Sequence, residues 1–209
     1  MSDRPAIGIS AASEAEAQPF AAIIERSGGT SETVLAGAPA QVLTRLGGLL
    51  VSGSETSLPE DEGAGVLLLR AALDADMPVL GVGHGMQMLN AAQGGAAVEE
   101  VAGHGQAEAT GEESSYHRIY IAPGSKLAAI VGSGGIVRVN SRHERGVRDA
   151  RKSALLMASA YSLDDGVIEA LESPDHRFVI GVQFHPERLI DEHPEFLRIF
   201  KAFVKACRA

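Results

Sequence analysis

The segment Phe178 to Glu187, FVIGVQFHPE, runs from an apolar stretch into a histidine, a proline and a glutamate. A strand of this kind ends with His185 at the C-terminal edge of a sheet, where α/β proteins place their sites. Glu187 lies close enough to orient and charge-stabilise the imidazole, the part a third group plays beside a catalytic base. The plainer reading is a satisfied surface histidine. A second stretch bears on the choice. In PVLGVGHGMQMLNAAQGG, Pro78 to Gly95, an apolar strand (Val79 to Val82) meets a glycine-rich turn and a helix starts at once. That is the layout of a nucleophile elbow, yet the tip residue, Gly83, has no side chain.

Three readings of that turn compete. The tip of an elbow sits in a sparsely populated conformation that costs about 1–3 kcal/mol for a residue with a Cβ. Glycine removes the cost, so it is a natural replacement for a lost nucleophile, and Gly81 and Gly85 would let strand and helix pack closely. A phosphate-binding turn is the second reading, but GVGHGM has Met86 where G-x-G-x-x-G needs its third glycine. The third is a tight connection with no chemistry.

The elements that must position these residues follow from patterning. AIGIS (Ala6 to Ser10), ETVLAG, GGLLVSGSE (Gly47 to Glu55) and Val79 to Val82 read as strands. They alternate with helices over Pro19 to Arg26, over GAGVLLLRAALDADM and after the glycine turn, the rhythm of a parallel sheet covered on both faces. The second half differs. Tyr116 to Ala122 and Gly135 to Ser141 alternate apolar and polar residues, as half-exposed antiparallel strands do, and ALLMASAYS, GVIEALE and FVIGVQFH follow as strands. The last helix, Glu195 to Lys205, carries Phe196, Ile199, Phe200 and Phe203 on one face. The expected architecture is a three-layer α/β/α sandwich, flavodoxin-like, with a mostly parallel sheet and an antiparallel extension. It forms one domain over residues 1–209.

Composition narrows the function classes. With 45% hydrophobic and 22% charged residues the chain can build a full core. A formal net charge of −9 argues against nucleic acid and acidic membrane surfaces, which reward clustered Lys and Arg. It favours a small-molecule or protein partner. One cysteine, Cys207, excludes an intrachain disulfide. The N-terminus lacks the basic-then-apolar pattern of a signal peptide, and no apolar run nears the ~20 residues of a membrane span. The expected location is the cytoplasm.

Taken as a set, the segments resemble the class I glutamine amidotransferase superfamily, and within it the γ-glutamyl-amide hydrolase branch, peptidase family C26. That branch reads P-V-L-G-I-C-R-G-x-Q-x-x-N-x-x-x-G-G at its elbow, and PVLGVGHGMQMLNAAQGG departs from it chiefly at Gly83 and His84. GVQFHPE matches G-V-Q-W-H-P-E, and DDGVIEALE resembles D-G-x-I-E-A-I-E. VNSRHER keeps Asn140, Ser141 and His143 of V-N-S-x-H-H-Q but has Glu144 and Arg145 for the last two. The resemblance implies a thiolate that attacks a γ-amide carbonyl, with His185 moving the proton and Glu187 orienting it. It also implies an oxyanion loop of the P-G-G type, which here reads VSGSE. Gly53 is kept, and Ser52 and Ser54 replace its neighbours. Gly53, Ser54, His84, Gln87, Asn140, Ser141 and His143 are therefore the candidate oxyanion and substrate-binding residues.

No other residue takes the place of the nucleophile at the tip: Ser52 and Ser54 fall on the oxyanion side, and His185 could act only by activating water. Cys207 lies far along the chain on the terminal helix, as a packing or surface residue. His84, His143, His185 and Glu187 carry metal-ligand chemistry, but nothing in the sequence joins them, so no metal and no cofactor is assigned. His104, in AGHG, reads as part of a solvated loop. The expectation is an amidotransferase-like protein without its nucleophile, acting as a ligand-binding or regulatory subunit for a glutamine- or γ-glutamyl-like molecule. It would work with a synthetase, another enzyme subunit or a second copy as partner. The alternatives are a hydrolase with water- or metal-based chemistry at His185, or an active hydrolase in which Gly83 is an engineered substitution.

Overall fold

The computed structural model describes residues 4–35, 37–53, 59–96, 98–105, 114–188 and 194–208. Its central sheet starts from four-residue strands that are buried throughout: β3 (Gly48–Val51), β4 (Val79–Val82) and β11 (Val179–Val182). Runs this short and this apolar fit only the middle of a sheet covered on both sides. Successive side chains then serve opposite layers. Leu50, Leu80 and Ile180 join one core, and Leu49, Val79 and Val179 join the other.

β1 (Ala6–Ala11) and β2 (Thr30–Leu35) complete the parallel half, in the order β2-β1-β3-β4-β11. From β11 outward every pair is antiparallel: β10 (Ile168–Glu172), β9 (Met157–Ser162), β6 (Ser115–Ile121) and β7 (Gly135–Ser141). The expected combination of parallel core and antiparallel extension is what the chain forms. Two short strands, β5 (Glu99–Glu100) and β8 (Arg145–Gly146), make a separate ribbon.

The first core layer lies under α1 (Glu14–Arg26) and α5 (Leu197–Ala206), where Phe20, Ile24, Phe200 and Phe203 are buried. The second lies under α2 (Pro59–Asp74) and α3 (His84–Ala92), through Leu68, Leu69, Met86 and Leu89. Among the described residues no helix is long and apolar enough to cross a membrane.

Two differences from the sequence reading have local causes. α1 begins at Glu14, ahead of the expected Pro19, because Ser13 Oγ accepts from the Glu16 N–H at 3.3 Å. Glu16 reaches back to the Ala12 N–H at 3.0 Å. A short helix, α4 (Lys126–Val131), was not anticipated. Ser125 caps it, and the Glu172 carboxylate of β10 accepts from the Lys126 and Leu127 N–H groups at 3.0 and 3.3 Å.

Candidate active site

Four loops meet at the C-terminal edge of β3, β4 and β11. The tip after β4 is Gly83, with φ 57° and ψ −121°, a region that side-chain-bearing residues rarely enter. Its N–H donates to the Val182 carbonyl at 2.9 Å, which ties the elbow to β11. Behind it Gly85 is pressed onto β3 so closely that a Cβ there would lie 2.0 Å from the Val51 carbonyl oxygen. The elbow geometry therefore persists, with a glycine at its point.

His185 follows β11 and faces that point. Its Nδ1 is 2.8 Å from Glu187 Oε1, and Glu187 is nearly buried while the imidazole is about one-fifth exposed (21%). The His185–Glu187 contact expected from the sequence is present. On its other side the ring abuts Gly83: a Cβ at position 83 would stand 2.8 Å from His185 Cε1 and 3.0 Å from Nε2. The imidazole occupies space that a tip side chain would need.

Asn140, at the end of β7, is fully buried and clips the histidine backbone from behind. The His185 N–H donates to Asn140 Oδ1 at 2.8 Å, and Asn140 Nδ2 donates to the His185 carbonyl at 3.0 Å. Asn140 acts as a positioning residue behind the cleft. Removing it in Asn140→Ala leaves two backbone groups without these bonds, and should cost about 1–3 kcal/mol. Urea unfolding of the variant beside the parent checks this, and an unchanged midpoint would refute it.

The remaining candidates divide. Gly53, His84 and His143 line the cleft beside Gly83 and His185, together with Ser52, Glu16 and Arg142; its volume is about 590 Å³. The His84 ring packs against Gly53, and its Nδ1 meets Gln87 Oε1 at 3.0 Å. Gln87 is buried behind it and donates to the Arg145 carbonyl and to Gln183. Ser141 is also buried, donating to the His104 carbonyl at 2.8 Å. Ser54 lies outside the described residues.

Cys207 is placed clearly. It caps α5 with its sulfur against Gly48, at the N-terminal end of β3 and the opposite sheet edge from His185. Burial pushes its thiol pKa up to about 12. It serves packing.

His104 corrects the expectation of a solvated loop. It is 3% exposed because its carbonyl accepts from the His143 N–H and Ser141 Oγ while its ring stands between His117 and His143. His117 and Glu169 also face inward there, and the sequence reading missed both. The signal was available: His117 shares the inward parity of Ile119 and Ile121 in β6, and Glu169 stands between the apolar Ile168 and Ala170 of β10. The possible metal set His84, His143, His185 and Glu187 is not the one that converges among the described residues. His143 turns instead to His104 and Glu169.

The family model for peptidase C26 matches residues 7–187. The chain belongs to the peptidase C26 family. A gamma-glutamyl-gamma-aminobutyrate hydrolase of Escherichia coli O157:H7 is 30% identical over 192 residues, which cover 80% of this chain and 74% of that one. A Mycobacterium tuberculosis protein named "Putative glutamine amidotransferase" is 38% identical over 142 residues. The match takes in 66% of this chain but only 43% of that relative, so the chain spans less than half of its length. The glutaminase domain of Trypanosoma brucei CTPS with bound acivicin superimposes with a TM-score of 0.77 at 19% identity, covering 97% of this chain and 93% of that one. This likeness shows the fold, that of the class I glutamine amidotransferases. The C26 chain is accordingly a glutamine amidotransferase-like protein of the γ-glutamyl hydrolase family.

Proposed function

We propose that this C26 chain is a non-catalytic member of its family, one that holds a glutamine- or γ-glutamyl-like molecule in the Gly83–His185 cleft as a ligand-binding or regulatory subunit. The observation that carries this reading is the vacant chemistry of the elbow. An oriented His185–Glu187 pair faces a glycine whose Cβ space the imidazole already fills, and Cys207 is buried at the other sheet edge. Without a nucleophile the covalent intermediate that divides amide cleavage into two easier steps is lost. The cleft lining suits an amino acid: Arg142 and Arg188 complement a carboxylate, and Glu16 and Glu144 an ammonium group. The CTPS glutaminase structure, as one domain of a synthase, is the model for a protein partner.

Glutamate release from glutamine and a panel of γ-glutamyl amides tests this, measured alongside calorimetric binding. The unmodified protein should bind saturably and release nothing. Turnover by it would sink the reading. Gly83→Cys should gain at most weak turnover, because His185 and Glu187 are present but the ring must turn aside to admit the new Cβ, and should lose about 1–3 kcal/mol of stability at the left-handed tip. The intact His185–Glu187 contact favours a second reading, water activation by His185 alone. That reading requires turnover in the unmodified protein that disappears in His185→Ala.

A further inference from the structure

A second polar centre lies inside the antiparallel extension, and the proposed ligand-binding role leaves it unused. Four residues from four segments converge there: His104 from the loop after β5, His117 from β6, His143 from the loop after β7, and Glu169 from β10. All four are buried, and Glu169 is 0% exposed. A carboxylate with no access to water is costly unless cations or donors surround it. The contrast with Glu172, three residues on, is direct. Glu172 satisfies two N–H groups of α4, whereas Glu169 faces imidazole nitrogens at 3.2 to 3.6 Å, none in well-formed hydrogen-bond geometry, and the far nitrogen of His117 has no hydrogen-bond partner among the described residues.

The distances have a pattern of their own. Around Glu169 Oε1 stand His117 Nε2 at 3.2 Å, His143 Nε2 at 3.5 Å and His104 Nδ1 at 3.6 Å. Ligand atoms bound ~2.0–2.1 Å from a tetrahedral ion stand ~3.3 Å from one another. The separations of His143 Nε2 and His104 Nδ1 from Glu169 Oε1 are close to that spacing. One ligand atom from each of His104, His143 and Glu169 lies within 4.8 Å of the other two.

The outward sides of the rings are also held. His143 Nδ1 is 2.9 Å from the Arg145 carbonyl, so that nitrogen carries the proton and Nε2 presents its lone pair inward. His104 Nε2 stands 3.4 Å from Asp165 Oδ1, and its Nδ1 faces the cluster, with Ser141 Oγ 3.5 Å away. A carbonyl or carboxylate on the far nitrogen is how metal-ligating histidines are fixed in one tautomer.

We propose that His104, His143 and Glu169 form a buried site for a divalent transition-metal ion of the Zn²⁺ class, with His117 positioning the Glu169 carboxylate. Two imidazoles and one carboxylate suit Zn²⁺ and its neighbours over Mg²⁺ or Ca²⁺, which prefer all-oxygen shells. His143 also lines the Gly83–His185 cleft, so the site adjoins the cleft without sharing His185 or Glu187. The inference stands whether or not the cleft binds γ-glutamyl compounds.

The test uses the full chain, stripped with a chelator and titrated with Zn²⁺ and with Co²⁺. One equivalent should bind, the Co²⁺ form should show the visible absorption of a four- or five-coordinate N/O site, and the melting temperature should rise by several degrees. Mg²⁺ should do none of this. In His104→Ala/His143→Ala the stoichiometry should fall to zero, with His176→Ala as a control that retains it. Failure of the parent to take up Zn²⁺ or Co²⁺ would overturn the site, and so would binding that survives in the double variant. Because the parent alone decides the first point, a variant that fails to fold does not rescue the proposal.

Discussion

Gly85→Ala should be the most damaging methyl group added at any glycine among the described residues, costing about 4 kcal/mol or more and leaving little folded protein at 37 °C. Its Cβ would lie 2.0 Å from the Val51 carbonyl oxygen and 2.7 Å from the Val51 carbonyl carbon, both backbone atoms of the central strand β3. A flexible neighbour could turn aside, but β3 is hydrogen-bonded on both flanks, to β1 and β4, and cannot. Relief must come from α3 moving away from the sheet, which opens the core around Met86 and Leu89. Circular dichroism melts and soluble yield check the result. A loss below 1 kcal/mol would mean that α3 is not seated on β3 as described. Gly83→Ala is the useful companion, since its clash is with a side chain, the His185 ring, and its cost should be smaller.

Phe203→Ala should lose about 3–5 kcal/mol, the range for a buried aromatic truncated to a methyl group. Phe203 is fully buried, packs against Phe178 with ring centroids 5.6 Å apart, and presses on the backbone of Gly48. For a chain of this size the melting temperature should drop by roughly 10 °C. The cavity would open at the N-terminal edge of the sheet, far from His185, so ligand binding in the cleft should persist at temperatures where the variant is folded. Loss of binding together with stability would show that the two sheet edges are coupled.

Much of the fold was legible because its signals are local. Val79 to Val82 followed by Gly83 announces a strand and a sharp turn within five residues, and the Phe196, Ile199, Phe200, Phe203 stripe announces the face α5 buries. His185 and Glu187 were legible for the same reason, being two residues apart on one strand end. Asn140 was assigned to substrate, yet it holds the His185 backbone, a contact 45 residues distant that no spacing rule encodes. The His104–His117–His143–Glu169 cluster was missed because its members come from four segments, and each in isolation is a single histidine in a turn, strand or loop, or a single glutamate in a strand. Only a contact between elements turns a glycine-flanked histidine such as His104 into a core residue.

The Asn140 clip also says something about shape. In the strand order β11-β10-β9-β6-β7, the edge strand β7 is four steps from β11. Neighbouring strands are ~4.8 Å apart, so a flat sheet would hold the two ~19 Å from each other. A single asparagine side chain nevertheless joins the end of β7 to the residue just after Phe184. The extension therefore curls back toward β11, with the segment after β11 spanning part of the distance, like the wall of an unfinished barrel. A sheet closed in this way shelters the last residues of its outer strand from strand addition by another chain, and leaves β2, on the opposite flank, as the margin where such pairing would begin.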